Sequence, residues 1–76
     1  MIHELDRVVL TTDLPKHGLR QGDVGTVVLL HGDKGFGVEF MTLDGETVAI
    51  VSLAKDQVRE IGRKEMQHSR QLENPA

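Results

Sequence analysis

The chain has 76 residues, with nine Lys and Arg against twelve Asp and Glu for a net charge of −3, no cysteine, tryptophan or tyrosine, and two phenylalanines. A chain of this length supports one domain whose core buries only about 60% of the surface exposed on unfolding, and without cysteine neither a disulfide framework nor a thiolate zinc site can supplement that core. No apolar run approaches the roughly 18 residues of a membrane span, and Glu4, Asp6 and Arg7 interrupt the N-terminus where a signal peptide needs an apolar stretch, which points to a soluble, cytoplasmic protein.

Four short β-rich runs and a fifth fragment follow one another along the chain. The first is DRVVL, residues 6–10. After it TTDLPKHGLRQGD (11–23) carries Pro15, Gly18 and Gly22, which rule out a helix interior and leave a long excursion between strands. Gly22 and Asp23 are expected to form the turn that ends this excursion. Gly25 opens the second run, GTVVLLH (25–31), and a glycine inside a strand pattern marks either a bulge or a close approach of backbone. HGDKG (31–35) and LDG (43–45) read as hairpin connections on either side of the third run, FGVEFM (36–41), and lead into the fourth, TVAIVSL (47–53). SLAKDQV then reads as a single helical turn before the fragment QVREI (57–61). Val and Ile enrichment between turn residues is strand chemistry, and helical periodicity is absent. The expected fold is therefore all-β: a small SH3-like barrel of about five strands over residues 1–61, followed by a C-terminal tail, 62–76, that is helical or flexible. Met66 and Leu72 are the tail's only large apolar residues, too few for an amphipathic face of any length.

GDVGTVV, coming after DRVVL and a glycine-bearing loop, resembles the KOW motif of SH3-like domains in ribosomal and transcription-elongation proteins; the likeness covers residues 5–30. It speaks to fold more than to function, because SH3-like barrels host many roles. ELDRVVLTTDLPKHGLRQGDVGTVV with VEFMTLDGETVAIVSLAKDQVR is similar to a family of short bacterial proteins known as a domain of unknown function. That resemblance spans residues 4–59 and implies a free-standing bacterial domain with no functional residues to carry over.

Composition argues against several activities. Phosphate binding needs clustered Lys and Arg, and single-strand recognition needs aromatic platforms. Up to Ile61 this chain holds six basic and ten acidic residues, with Phe36 and Phe40 as its only aromatics. Phe40 is expected in the core, with Phe36 in or near a hairpin. The same shortage opposes capture of proline-rich peptides. His17, His31, Asp13, Asp23 and Glu39 could act as acids or bases, yet no spacing sets a nucleophile, a base and an oxyanion donor together, and loop aspartates ordinarily cap turns. GDKGFG lacks the lysine-serine ending and following helix of a P-loop. His3, His17, His31 and His68 show no metal-ligand spacing. No cofactor is expected and no enzyme.

The strands themselves are the anomaly. One parity, Val8, Leu10, Val27, Leu29, Val38, Phe40, Val48 and Ile50, can fill the barrel. The other still holds Val9, Val28, Leu30, Met41, Ala49 and Val51. A face this apolar is unusual outside an interface, so Val9, Val28, Leu30, Met41 and Val51 are the expected partner surface. Three alternatives compete: a bulge at Gly25 that swaps parity, a tail folded back as cover, or barrel curvature that buries both parities near corners. The expected role is a non-enzymatic protein-interaction module that binds a protein partner or a second copy, and neither nucleic acid nor membrane. Alternatives are an antitoxin-like or immunity-like inhibitor of a basic partner, an accessory or regulatory subunit of an enzyme complex and, more remotely, a KOW-type RNA-associated factor.

Overall fold

The computed structural model describes residues 1–72; the last four residues of the expected tail lie outside the described residues. Five strands form: β1 (Arg7–Leu10), β2 (Val24–Leu30), β3 (Phe36–Met41), β4 (Thr47–Leu53) and β5 (Val58–Glu60). All pair antiparallel in one sheet of order β4-β3-β2-β1-β5. The fold is all-β as the alternation implies, but the sheet does not close into a barrel: β4 and β5 are its two edges and no ladder joins them.

Curvature nevertheless follows from the connectivity. Five flat strands would set the two edges about 19 Å apart. Only Ala54–Gln57 links β4 to β5, and Lys55–Gln57 is a 3₁₀ turn, so the link reaches less than about 15 Å. The sheet must curl until its edges converge at that end. The space inside the curl is filled by Val8, Leu10, Leu19, Val27, Phe36, Val38, Phe40, Leu53 and Val58, with Ile2, Leu14, Val48, Ala49 and Val51 packed against them. Phe36 is thus core as much as Phe40, and among the described residues no polar or charged residue is buried.

The long excursion is a small structure of its own. Leu14 and Leu19 bridge across a 3₁₀ turn, Pro15–His17, and Leu19 is buried in the core. The chain returns through Gly22, at φ +96°, whose N–H donates to the Leu10 carbonyl while Leu10 N–H donates to Asp23. Gly25 is buried in unbroken register opposite Val8. A Cβ there would stand 2.5 Å from Val38 Cγ1 and 3.0 Å from the Glu39 carbonyl oxygen, so Gly25 marks a close approach and not a bulge.

The bulges lie elsewhere, and they overturn the expected parity. In β2 the register passes from Val27↔Val38 to Leu29↔Gly37, leaving Val28 as the extra residue. In β4 it passes from Met41↔Thr47 to Phe40↔Ala49, leaving Val48 as the extra residue. Each extra residue flips every side chain beyond it. Ala49, Val51 and Leu53 therefore share the inner face with their partners Phe40, Val38 and Phe36. Leu29 and Ile50, expected inside, stand on the outer face at 55% and 64% exposure.

Candidate interaction surface

The outer face of the sheet divides into a covered half and a bare half. Residues 61–72 form neither helix nor strand and run as a strap over β5, β1 and the start of β2. At its near end the Glu65 carboxylate accepts both guanidinium nitrogens of Arg59, at 2.6 and 2.7 Å, together with the Gly62 N–H. These donors hold Glu65 down at about 2. At its far end Arg70 donates to both oxygens of Asp23, at 2.8 and 2.5 Å, and to the Gly18 carbonyl at 2.9 Å. Burial pushes the Asp23 carboxyl up, but Arg70 and the Arg20 backbone N–H outweigh it and keep it below the usual carboxylate range. The strap leaves a pocket of about 270 Å³ over Val9, Val24, Arg59 and Ile61, just under the size that ordinarily holds small molecules.

The bare half consists of the end of β2, β3 and β4. Leu29, Gly37 and Ser52 form one row across it, and Thr26, Glu39 and Ile50 the next. The edge of the sheet here is β4, whose seven residues, TVAIVSL, include no charge, proline or glycine. The other edge, β5, has three residues, of which two are charged.

Hydrogen-bond alternation fixes which backbone groups face the open edge. His31 N–H donates to Gly35 at the β2-β3 turn, and Thr42 N–H donates to Glu46 at the β3-β4 turn. Along β3, then, Gly37 and Glu39 turn toward β2, while Phe36, Val38 and Phe40 turn toward β4. Their partners Leu53, Val51 and Ala49 turn back to β3. Ile50 and Ser52 are left with N–H and C=O directed away from the sheet.

The expected partner residues are not gathered at one site. Val9 is on the outer face but only 8% exposed, beneath the strap. Val28 is the half-buried bulge residue of β2. Val51 faces inward against Val38 and packs on the core, a correction that follows from the Val48 bulge. Leu30 pairs with the buried Phe36 at the hairpin end, half exposed, and Met41 is half exposed at the far end of β3. Leu29 and Ile50, which hold the bare face, were hidden by the two bulges.

The acid-base candidates stand apart. His17 ends a surface 3₁₀ turn and His31 meets Ser52 at 3.5 Å. Asp13 accepts the Gln21 N–H, Glu39 accepts the Thr47 hydroxyl and Asp23 is committed to the strap. His3 lies by Asp6 at 3.6 Å. Among the described residues no three His, Asp or Glu side chains are placed to hold a metal ion, and no helix is long and apolar enough to cross a membrane. Residues 4–60 match the family model described as a domain of unknown function, DUF4926, so the resemblance spanning 4–59 rests on a whole-domain match. No curated protein and no solved structure matches the chain.

Proposed function

We propose, from the premise that the chain belongs to the DUF4926 family, that it is a non-enzymatic protein-interaction module whose binding surface is the bare half of the sheet. The observation that carries this reading is the β4 edge. Natural sheets guard exposed edges with charge, proline, short length or a covering segment. Here β5 is short and charged and the adjoining face lies under the strap, while β4 is long and uncharged and has Ile50 at its centre. A chain that shields one edge and leaves the other bare has a use for the bare one.

The reading extends to the finer features of the sequence. The curled five-stranded sheet supports kinship with SH3-like domains, and the similarity to short bacterial proteins supports a bacterial, cytoplasmic setting. Nucleic acid is not the partner in this reading, because both phenylalanines are buried and the domain is acidic.

Immobilised full-length protein should retain a protein at fixed stoichiometry, whether this chain or another, and Ile50→Lys should release it with no change in melting temperature. Retention of nothing, together with a monomeric wild type, overturns the reading. Loss of the complex at moderate salt would instead identify an electrostatic inhibitor of a basic partner.

A further inference from the structure

Resting on that reading, we infer that the occupant of the β4 edge is β4 of a second copy, paired antiparallel about a two-fold axis at Val51, so that two five-stranded sheets join edge to edge.

The backbone groups specify this register. Ile50 and Ser52 offer two N–H donors and two carbonyl acceptors to the open edge, spaced symmetrically about Val51. Among the described residues no turn, loop or cap hydrogen bond uses them. Setting Ile50 of one copy opposite Ser52 of the other, and the reverse, satisfies all eight groups with four hydrogen bonds. A two-fold contact must be self-complementary, and this donor-acceptor set is. Val51 then meets Val51 of the second copy on the inner face, and the two Ile50 side chains become diagonal neighbours, about 7–8 Å apart at their Cα atoms, on the outer face. Sliding the register toward the Val48 bulge would lose these bonds, because the ladder is irregular there.

Charge selects the antiparallel direction. The hairpin end of β4 carries Asp44 and Glu46, whereas the opposite end carries Lys55 beside Asp56. Neither Glu46 nor Lys55 makes an ion pair among the described residues. An antiparallel pair brings each acidic end to a balanced one containing a lysine, and a parallel pair would bring acid to acid. The β5 edge does not compete: its outward carbonyl at Glu60 already accepts from Arg59 at 3.1 Å, and Arg59 is held by Glu65.

One strand pair with one apolar contact on each face is smaller than a standard interface, so the dimer should be weak, with a dissociation constant on the order of 10⁻⁵ to 10⁻⁴ M. The test is sedimentation equilibrium of the full chain up to about 1 mM, roughly ten to a hundred times that constant, combined with amide hydrogen exchange at low and high concentration. The wild type should dimerise, and the Ile50 and Ser52 amides should slow with concentration while Val51 stays protected throughout. Ser52→Pro removes an outward N–H without touching the β3 ladder or the apolar side chains, and should weaken the dimer at least tenfold; Ser52→Ala should not. A monomer at the highest concentration, or a dimer indifferent to Ser52→Pro, overturns the proposal. If Ser52→Pro does not fold, exchange at Ile50 and Ser52 that is independent of concentration overturns it equally. A monomeric wild type that still retains another protein would reject the second copy and leave the module reading standing; retaining nothing would reject both.

Discussion

Gly25→Val tests whether the close approach between β2 and β3 shapes the fold. On strand propensity valine should be favoured, and removing glycine from a strand returns about 0.5–1 kcal/mol. The surroundings of Gly25 oppose this. Its added Cβ would meet Val38 Cγ1 at 2.5 Å, Phe40 Cε1 at 2.9 Å and the Glu39 carbonyl oxygen at 3.0 Å. Val38 and Phe40 are at 0% and 2% exposure, so neither can swing into solvent, and the Glu39 oxygen belongs to the backbone of β3, an interior strand of the sheet. Forcing carbon into such a site costs about 1–3 kcal/mol for a methylene or two, and valine brings three carbons. The net loss should exceed about 1 kcal/mol, which in a domain of this size lowers the melting temperature by about 4–8 °C or more. Gly25→Ala should fall between the two. Gly37→Ala is the contrast: its Cβ would meet Leu29 Cβ at 3.1 Å on the outer face, with side-chain atoms and no backbone as its nearest neighbours, so the end of β2 beyond its bulge need give only a few tenths of an ångström, and the variant should stay within about 1 kcal/mol of the wild type. Thermal and urea unfolding followed by circular dichroism would report all three. An unchanged or raised melting temperature for Gly25→Val refutes the reasoning.

Three further outcomes are expected. Arg70→Ala should free the strap, because partly buried hydrogen bonds to a carboxylate contribute about 1.5–3 kcal/mol each; tryptic cleavage after Arg63 and Lys64 should quicken at least about tenfold, with little change in the far-ultraviolet spectrum. Acid should do the same: Asp23 and Glu65 both have folded values below their unfolded ones of about 4, so their contribution is complete above that range and is lost as pH falls through it toward about 2, where the protection of amides over residues 62–70, relative to the unfolded chain at the same pH, should fall. Mixed-sequence RNA or DNA should bind no tighter than about 10⁻⁴ M at physiological salt, the weak end of non-specific association, and a micromolar, salt-sensitive affinity in a polarisation assay would contradict this.

The strands and turns were legible because each rests on local chemistry. Runs of Val and Ile between Gly, Asp and Pro defined all five strands to within two residues at each end. The faces were less legible. Val28 is flanked by Val27 and Leu29, and Val48 by Thr47 and Ala49, so the extra residue in each bulge looks like its neighbours and nothing in composition marks where parity flips. Gly25, the residue that did suggest a bulge, is small because β3 passes close to it. The strap was legible only as one of three alternatives, a tail folded back as cover, and its anchoring was not. Its hold on the sheet comes from Arg70 meeting an aspartate 47 residues away, and such a contact leaves no periodic trace in the sequence. The candidate surface inherits both gaps: Val9 and Val51 read as bare and are covered, while Leu29 and Ile50 read as core and are bare.

The order β4-β3-β2-β1-β5 also governs how the chain reaches its native state. Three of its four ladders join strands consecutive in the chain, so they can assemble from nearby segments. The fourth joins β1 to β5, with Val8 opposite Glu60, and must close a loop of roughly fifty residues before any of its contacts is gained. Three short residues of β5 repay that closure, so its docking is the natural kinetic bottleneck and the first ladder to open. A circular permutant that joins Glu60 to Arg7 by a tight turn, with new termini in the 54–57 link, makes every ladder local and should fold faster than the parent. It would also sever the strap from the strand it follows, separating the speed of folding from the cover the tail provides.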